Sequence, residues 1–212
     1  MSVSATRDLS LVIEAGGASR RMGQDKALML FLGRPLIQRI VDRAGSIADE
    51  VIVVANQPEQ YDFLSCRVVC DARAGRGALG GLYTAFVAAR RPWVAVAACD
   101  MPFVSAPLLA FLRDVLIQEG ADAVVPQTTT SDGEASLEPF HAVYRRSACL
   151  SAVEAALDAG LWRATAWLDA VRTRRVGAEE IAPYDPHGAA FRNVNTPEAF
   201  AQAEADARIW EL

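Results

Sequence analysis

Lysine is almost absent from this chain. Of its 21 basic residues only Lys26 is lysine, and the rest are arginine. Histidine is scarce too, confined to His141 and His187, and the four cysteines (Cys66, Cys70, Cys99 and Cys149) show no paired metal-ligand spacing. A zinc site is therefore not expected. No apolar run approaches the ~20 residues of a membrane span; the longest, around Trp93 to Cys99, reads as a buried strand. Positive charge is not in excess. A net charge of −5 argues against a general nucleic-acid or membrane-surface binder, which needs a basic face. Residues 1–8 are polar and lack the apolar region of a cleavable leader, so a cytoplasmic location with reduced thiols is expected.

What is present is core-forming material. The chain has 212 residues, 52% hydrophobic and 22% charged, which suits one folded domain over 1–212 and not a disordered segment. Strand and helix patterns alternate. Leu9 to Ile13 and the β-branched run Val51 to Ala55 read as buried strands, as do Arg67–Cys70 and Trp93–Cys99. Helical periods are expected from Pro35 to Ala44, from Leu82 to Ala89, and from the capping Ser105 to Glu119. Further on, Glu138 to Tyr144 alternates like a strand. Helical patterns follow at Ser147–Ala159 and near Ala164–Val171, then a strand at Thr173–Val176 and a last helix opened by Thr196 and Pro197. This order predicts right-handed βαβ units: an α/β, three-layer α/β/α sandwich with a Rossmann-like, mostly parallel sheet. Ligands of such sheets sit beyond the carboxyl ends of the strands.

Three chemically loaded stretches directly follow strands, and so belong on that edge. The first is Glu14-Ala-Gly-Gly-Ala-Ser-Arg-Arg-Met-Gly-Gln-Asp-Lys26. Its glycines free the backbone to converge several N–H groups on one point, and Arg20, Arg21 and Lys26 add positive charge. A polyphosphate is the expected guest, with Lys26 as a compact point charge that arginine does not reproduce. The loop matches neither a Walker A motif, since Gln24 follows Gly23, nor the Gly-x-Gly-x-x-Gly dinucleotide fingerprint. The second stretch runs from Asp71 through a glycine-rich segment, read as a loop up to Gly81. The third is Asp100-Met-Pro-Phe103, where an oxygen ligand facing a phosphate loop suits a hard cation.

The pattern Gly-Gly-x-Ser-x-Arg-Met-Gly-x-Asp-Lys resembles the nucleotidyltransferases that couple a nucleoside triphosphate to a small phosphorylated acceptor. Within these it is most similar to the molybdenum cofactor guanylyltransferase family, which attaches GMP from Mg-GTP to the phosphate of molybdopterin. Gly33-Arg-Pro-Leu36, Gly77-Ala-Leu-Gly-Gly81, Cys99-Asp-Met-Pro102, Pro139–Tyr144 and Asn193-Val-Asn-Thr-Pro-Glu198 all sit in the family's order. The resemblance implies a sheet of the nucleotidyltransferase type, with a nucleotide-binding half over 8–127 and an acceptor-binding half over 128–212. It implies that Glu14, Ala15, Gly16, Gly17, Lys26, Asp71, Gly77, Gly81 and Asp100 contact the nucleotide, that Lys26, Arg20 and Asp100 carry catalysis, and that Asp100 binds Mg²⁺. Asn193, Asn195, Glu138 and His141 would face the acceptor. Asparagine before a capping Thr-Pro-Glu is also common turn chemistry, and His141 also reads as a satisfied polar residue of a strand. The partners implied are GTP and a molybdopterin-type acceptor, with transient contact to molybdoenzyme maturation proteins, and no nucleic acid or membrane.

Three departures leave alternatives open. The family usually has leucine where this chain has Glu14, and Pro and Ala where it has Ala78 and Gly80. An asparagine common near the end of the second strand corresponds to Val54, with Asn56 two residues on. A cytidylyl- or sugar-phosphate nucleotidyltransferase of the same fold, or a nucleotide-binding regulator without catalysis, fits the same pattern.

Overall fold

The computed structural model describes residues 8–16, 25–73, 75–130 and 132–210. An eight-stranded sheet forms its middle layer. In chain order the strands are β1 (Leu9–Glu14), a small antiparallel pair β2 (Leu30–Phe31) and β3 (Arg34–Pro35) apart from the main sheet, β4 (Glu50–Val54), β5 (Arg67–Val69), β6 (Trp93–Ala98), β7 (Ala123–Thr129), β8 (Ala135–Leu137), β9 (His141–Arg145) and β10 (Thr173–Val176). The main sheet runs β10-β7-β9-β6-β1-β4-β5, with β8 paired to β7. Neighbours from β6 to β5 are parallel, and β9 is antiparallel to both β6 and β7.

The helices are α1 (Leu36–Ala44), α2 (Gly77–Ala88), α3 (Ala106–Glu119), α4 (Arg146–Asp158), the short α5 (Ala178–Ile181) and α6 (Pro197–Ile209). Side chains alternate across a strand, and the two faces collect separate cores. Leu11 and Ile13 pack with Ile37 and Ile40 of α1, Leu109 and Leu112 of α3 and Phe200 of α6. Val12 points the other way, to Leu82 and Phe86 of α2 and Val153 of α4. This is the expected three-layer α/β/α arrangement. Thr196 caps α6 through its hydroxyl on the Ala199 amide at 3.2 Å, with Pro197 in the first turn. Among the described residues no helix is long and apolar enough to cross a membrane.

The structure differs from the expectation in two places. α2 starts at Gly77, so Gly77 to Gly81 is helical and not loop. A Cβ built on Gly80 would sit 2.9 Å from the Arg73 carbonyl oxygen, so glycine there lets the helix press against the preceding turn. Around Ala164–Val171 only the single turn Leu168–Ala170 is helical.

Candidate active site

A cavity of about 710 Å³ opens at the carboxyl ends of the parallel strands, the size of a small-molecule site. Its wall brings together Glu14, Gly16, Lys26, Asp71, Gly77, Gly81, Asp100, Glu138, Asn193 and Asn195, which the sequence places up to 181 residues apart only through the fold. The order of strands sets the order of groups along its floor: Asp100 after β6, Glu14 at the end of β1, Val54 and Asn56 after β4, and Asp71 after β5.

One end is an interlocked charge cluster. Lys26 Nζ donates to Asp100 Oδ2 at 3.1 Å and to Asn195 Oδ1 at 2.7 Å. The side chains of Lys26 and Asp100 are 12% and 22% exposed, so the pair is neither dry nor freely solvated. Each member is fixed from behind. Asp25 caps the turn that carries Lys26 by accepting from the Ala27 amide at 3.0 Å, and its other oxygen accepts from the buried Tyr61 hydroxyl at 2.7 Å. The Val194 amide donates to the Asp100 carbonyl at 2.9 Å, which ties the Asn193–Asn195 stretch to the end of β6. The neighbouring Cys99 thiol is pushed far up by burial and then by Asp100, so it stays protonated and is no nucleophile.

The other end is built on α2. Asp71 Oδ1 accepts from the Arg73 amide at 2.9 Å and the Thr84 hydroxyl at 2.7 Å, which binds the end of β5 to the helix. Asn56 Nδ2 donates to the Gly16 carbonyl at 2.9 Å and so holds the start of the first glycine loop. Glu14 lies in register between Val54 and Ala98. Its carboxyl leans on α2: a Cβ built on Gly81 would come within 2.8 Å of Oε2. Its Oε1 is buried without a hydrogen-bond partner, the one carboxylate oxygen among the described residues in that state. Burial first, and the charge of Asp71 second, push its pKa up to about 8. Glu14 is therefore mostly protonated at neutral pH and adds little repulsion toward an anionic guest.

Other expected residues fall elsewhere. Gly17 and Arg20 lie outside the described residues. Ala15 is buried, its amide donating to Val54 at 2.8 Å, and contributes backbone only. His141, expected on the acceptor side, is not on the cavity wall. It is fully buried, edge-on to Phe191 at 5.1 Å, and burial holds its imidazole down at about 4, uncharged at neutral pH. Both faces of β9 are core, with Val143 in one cluster and Ala142 and Tyr144 in the other, and alternation puts His141 on the face of Val143. Glu138 lines the cavity, with Oε1 accepting from the Thr128 hydroxyl at 2.9 Å. Asn56 earns its place on the wall from position, since it follows β4 directly, although its motif position is shifted.

Asp100 fits a hard divalent cation. It offers a carboxylate whose Oδ2 now carries the Lys26 ammonium, with Asn195 Oδ1 on the same ammonium, and no cluster of three or more His, Cys, Asp or Glu groups stands ready among the described residues. Mg²⁺ characteristically uses one or two carboxylates and takes its other oxygens from phosphates and water. Such an ion would be held here jointly with a phosphorylated guest.

Comparison with known proteins bears on this geometry. A family model, the MobA-like NTP transferase domain, matches residues 11–173. The chain is 32% identical over 197 residues to the molybdenum cofactor guanylyltransferase of Desulfosudis oleivorans, covering 92% of this chain and 93% of that one. It is 33% identical over 191 residues to the enzyme of the same name from Syntrophotalea carbinolica, covering 90% and 88%. Among solved structures, molybdopterin-guanine dinucleotide biosynthesis protein A from Archaeoglobus fulgidus superposes with a TM-score of 0.80 at 24% identity, over 94% of this chain and 99% of that one. The 2-C-methyl-D-erythritol 4-phosphate cytidylyltransferase of Thermus thermophilus shares the fold at a TM-score of 0.67 and 18% identity, over 93% and 98%.

Proposed function

The chain belongs to the MobA-like NTP transferase domain family, and from that premise we propose that it transfers GMP from GTP to the phosphate of molybdopterin, releasing pyrophosphate. The observation that carries this reading is the Lys26–Asp100–Asn195 cluster at one end of a cavity that continues to Glu14, Asp71 and α2. Neighbouring strands lie ~4.8 Å apart, so the three intervals from β6 to β5 span roughly 14 Å, which sets the Lys26–Asp100 end apart from Asp71 and lets phosphates and nucleoside take different ends.

The acceptor phosphate oxygen attacks the α-phosphorus in line; the bond from that phosphorus to the bridging oxygen breaks, and pyrophosphate leaves with the electron pair. An acceptor phosphate is already ionised, so no general base is needed, which agrees with an uncharged, buried His141. What the protein must supply is position and charge. Lys26 gives a compact ammonium that turns from Asp100 to the phosphate oxygens, and Asn195 holds its direction. The backbone from Glu14 to Gly16 opens the phosphate-binding loop, and Arg20 adds charge within it. Mg²⁺, held by Asp100 together with phosphate oxygens, would supply further charge neutralisation on the triphosphate. Asp71, Gly77 and Gly81 form the nucleoside end, and Asn193 and Glu138 border the acceptor side. Residues 8–127 then form the nucleotide half of one domain and 128–212 the acceptor half. A cytoplasmic site of action, with transient hand-over of product to molybdoenzyme maturation proteins, belongs to the same reading.

The test is pyrophosphate release from GTP, CTP and ATP, each with and without molybdopterin and Mg²⁺. Release from GTP that depends on molybdopterin is the expected result. Release from CTP with a sugar- or alcohol-phosphate acceptor would move the chain to the cytidylyl branch of the fold. Nucleotide binding with no release in any combination would make it a regulator.

A further inference from the structure

We propose that Glu14 determines base specificity: its carboxyl accepts hydrogen bonds from the N1–H and 2-amino group of guanine. This rests on the nucleotide reading above and names a contact within that site.

Three observations converge on it. Glu14 ends the central strand β1 and lines the cavity, with its carboxyl against Gly81 of α2 and Asp71 as the acid whose charge acts on it. It therefore faces the nucleoside end and not the phosphates. Its Oε1 is buried with no hydrogen-bond partner among the described residues, whereas Asp71 Oδ1 is taken by Arg73 and Thr84. A buried acceptor left without a partner is costly to keep, and a bound donor satisfies it. Finally, two of the places where the chain departs from its family pattern, Glu14 and Ala78, share the cavity wall. Ala78 lines the cavity with Gly81, where any side chain would come too close to the Glu14 carboxyl, whereas a side chain on Gly80 would meet the Arg73 carbonyl instead. The unusual glutamate and the opened helix start thus form one wall.

The chemistry of that wall selects among the bases. A carboxylate presents two adjacent acceptors and no donor. Guanine is the common base whose edge offers two adjacent N–H donors; adenine, cytosine and uracil each set a donor beside an acceptor. Held mostly neutral by burial and Asp71 before a ligand enters, Glu14 sits close enough to its titration point that two donors favouring the charged form shift it back.

Inosine triphosphate lacks only the 2-amino group, so it isolates the contact. Calorimetric Kd values for GTP and ITP would be measured on the whole chain with Mg²⁺, for the wild type and for Glu14→Leu and Glu14→Gln. The wild type is expected to prefer GTP by about tenfold or more, the size of one hydrogen bond to a charged group. Glu14→Leu is expected to bring GTP and ITP to within about twofold of each other, and Glu14→Gln, which puts a donor where an acceptor stood, to lose the preference likewise. An unchanged GTP/ITP ratio in Glu14→Gln overturns the proposal even if Glu14→Leu fails to fold. Glu14-dependent GTP preference without pyrophosphate release leaves this contact standing while the transferase reading falls. Release from GTP with no Glu14-dependent preference does the reverse.

Discussion

The two ends of the cavity solve the problem of burying charge in opposite ways. At the Lys26 end the charges are paired: the ammonium with Asp100 and Asn195, the supporting turn held by Asp25 and Tyr61, and the Asn193–Asn195 stretch tied to the Asp100 carbonyl. At the Glu14 end an acid is pressed against α2 and toward Asp71 with one oxygen unanswered, and it stays protonated as a result. The first arrangement is stable by itself and gives up its pairing when phosphates arrive. The second is incomplete by itself and gains from a ligand. Strain of that kind is tolerated where function requires it, and removing it commonly stabilises a protein while costing activity.

Substitutions can break this contrast at either end. The largest effect is expected from Lys26→Ala or Asp100→Ala: each is predicted to lower kcat about a hundredfold or more, the scale of removing a key electrostatic contact from a phosphate or oxyanion site. Steady-state pyrophosphate release with circular dichroism as a folding control measures it; near-normal turnover in folded Asp100→Ala would remove Asp100 from the chemistry. Asn195→Ala, which takes away one neutral partner of the ammonium, is predicted to cost about tenfold in kcat/KM. Turnover equal to wild type would mean that Asn195 serves only the turn before the Thr196 cap.

The smallest effect concerns stability and has the opposite sign. Because the folded pKa of Glu14 is about 8 and its ordinary value 4.5, the folded state holds a proton that the unfolded state has lost between those values. Glu14 therefore makes stability fall as pH rises through that window. Glu14→Leu is predicted to gain about 1–3 kcal/mol in urea unfolding at pH 8, the scale of a buried unsatisfied polar group, and to gain less at pH 4. An equal gain at both pH values would show that the carboxyl titrates normally and that the ends are less different than the structure makes them.

The Lys26 end was largely legible in the sequence and the Glu14 end was not, for physical reasons. A lone lysine in an arginine-rich chain, after a strand and a glycine loop, points to a phosphate, and alternating strands and helices put Asp71 and Asp100 on the same edge. Glu14 could be seen to depart from the family pattern, but whether it spoils or tunes the site depends on Gly81 and Asp71, which are far away in the chain. The start of α2 differs from the sequence reading for a related reason. Glycine content reads locally as loop, whereas Gly80 and Gly81 are there to admit the Arg73 carbonyl and the Glu14 carboxyl at close range. His141 was drawn toward the acceptor by its neighbours in the motif, yet the pleat of β9 turns it into the core.

The account stands on one nucleotide bridging both ends so that its α-phosphate meets the acceptor. GTP labelled at the α-phosphate, incubated with the wild-type chain, molybdopterin and Mg²⁺, tests it directly. The label is predicted to move onto molybdopterin, with one pyrophosphate released for each label transferred. Label recovered as free GMP, or left in GTP, would contradict it.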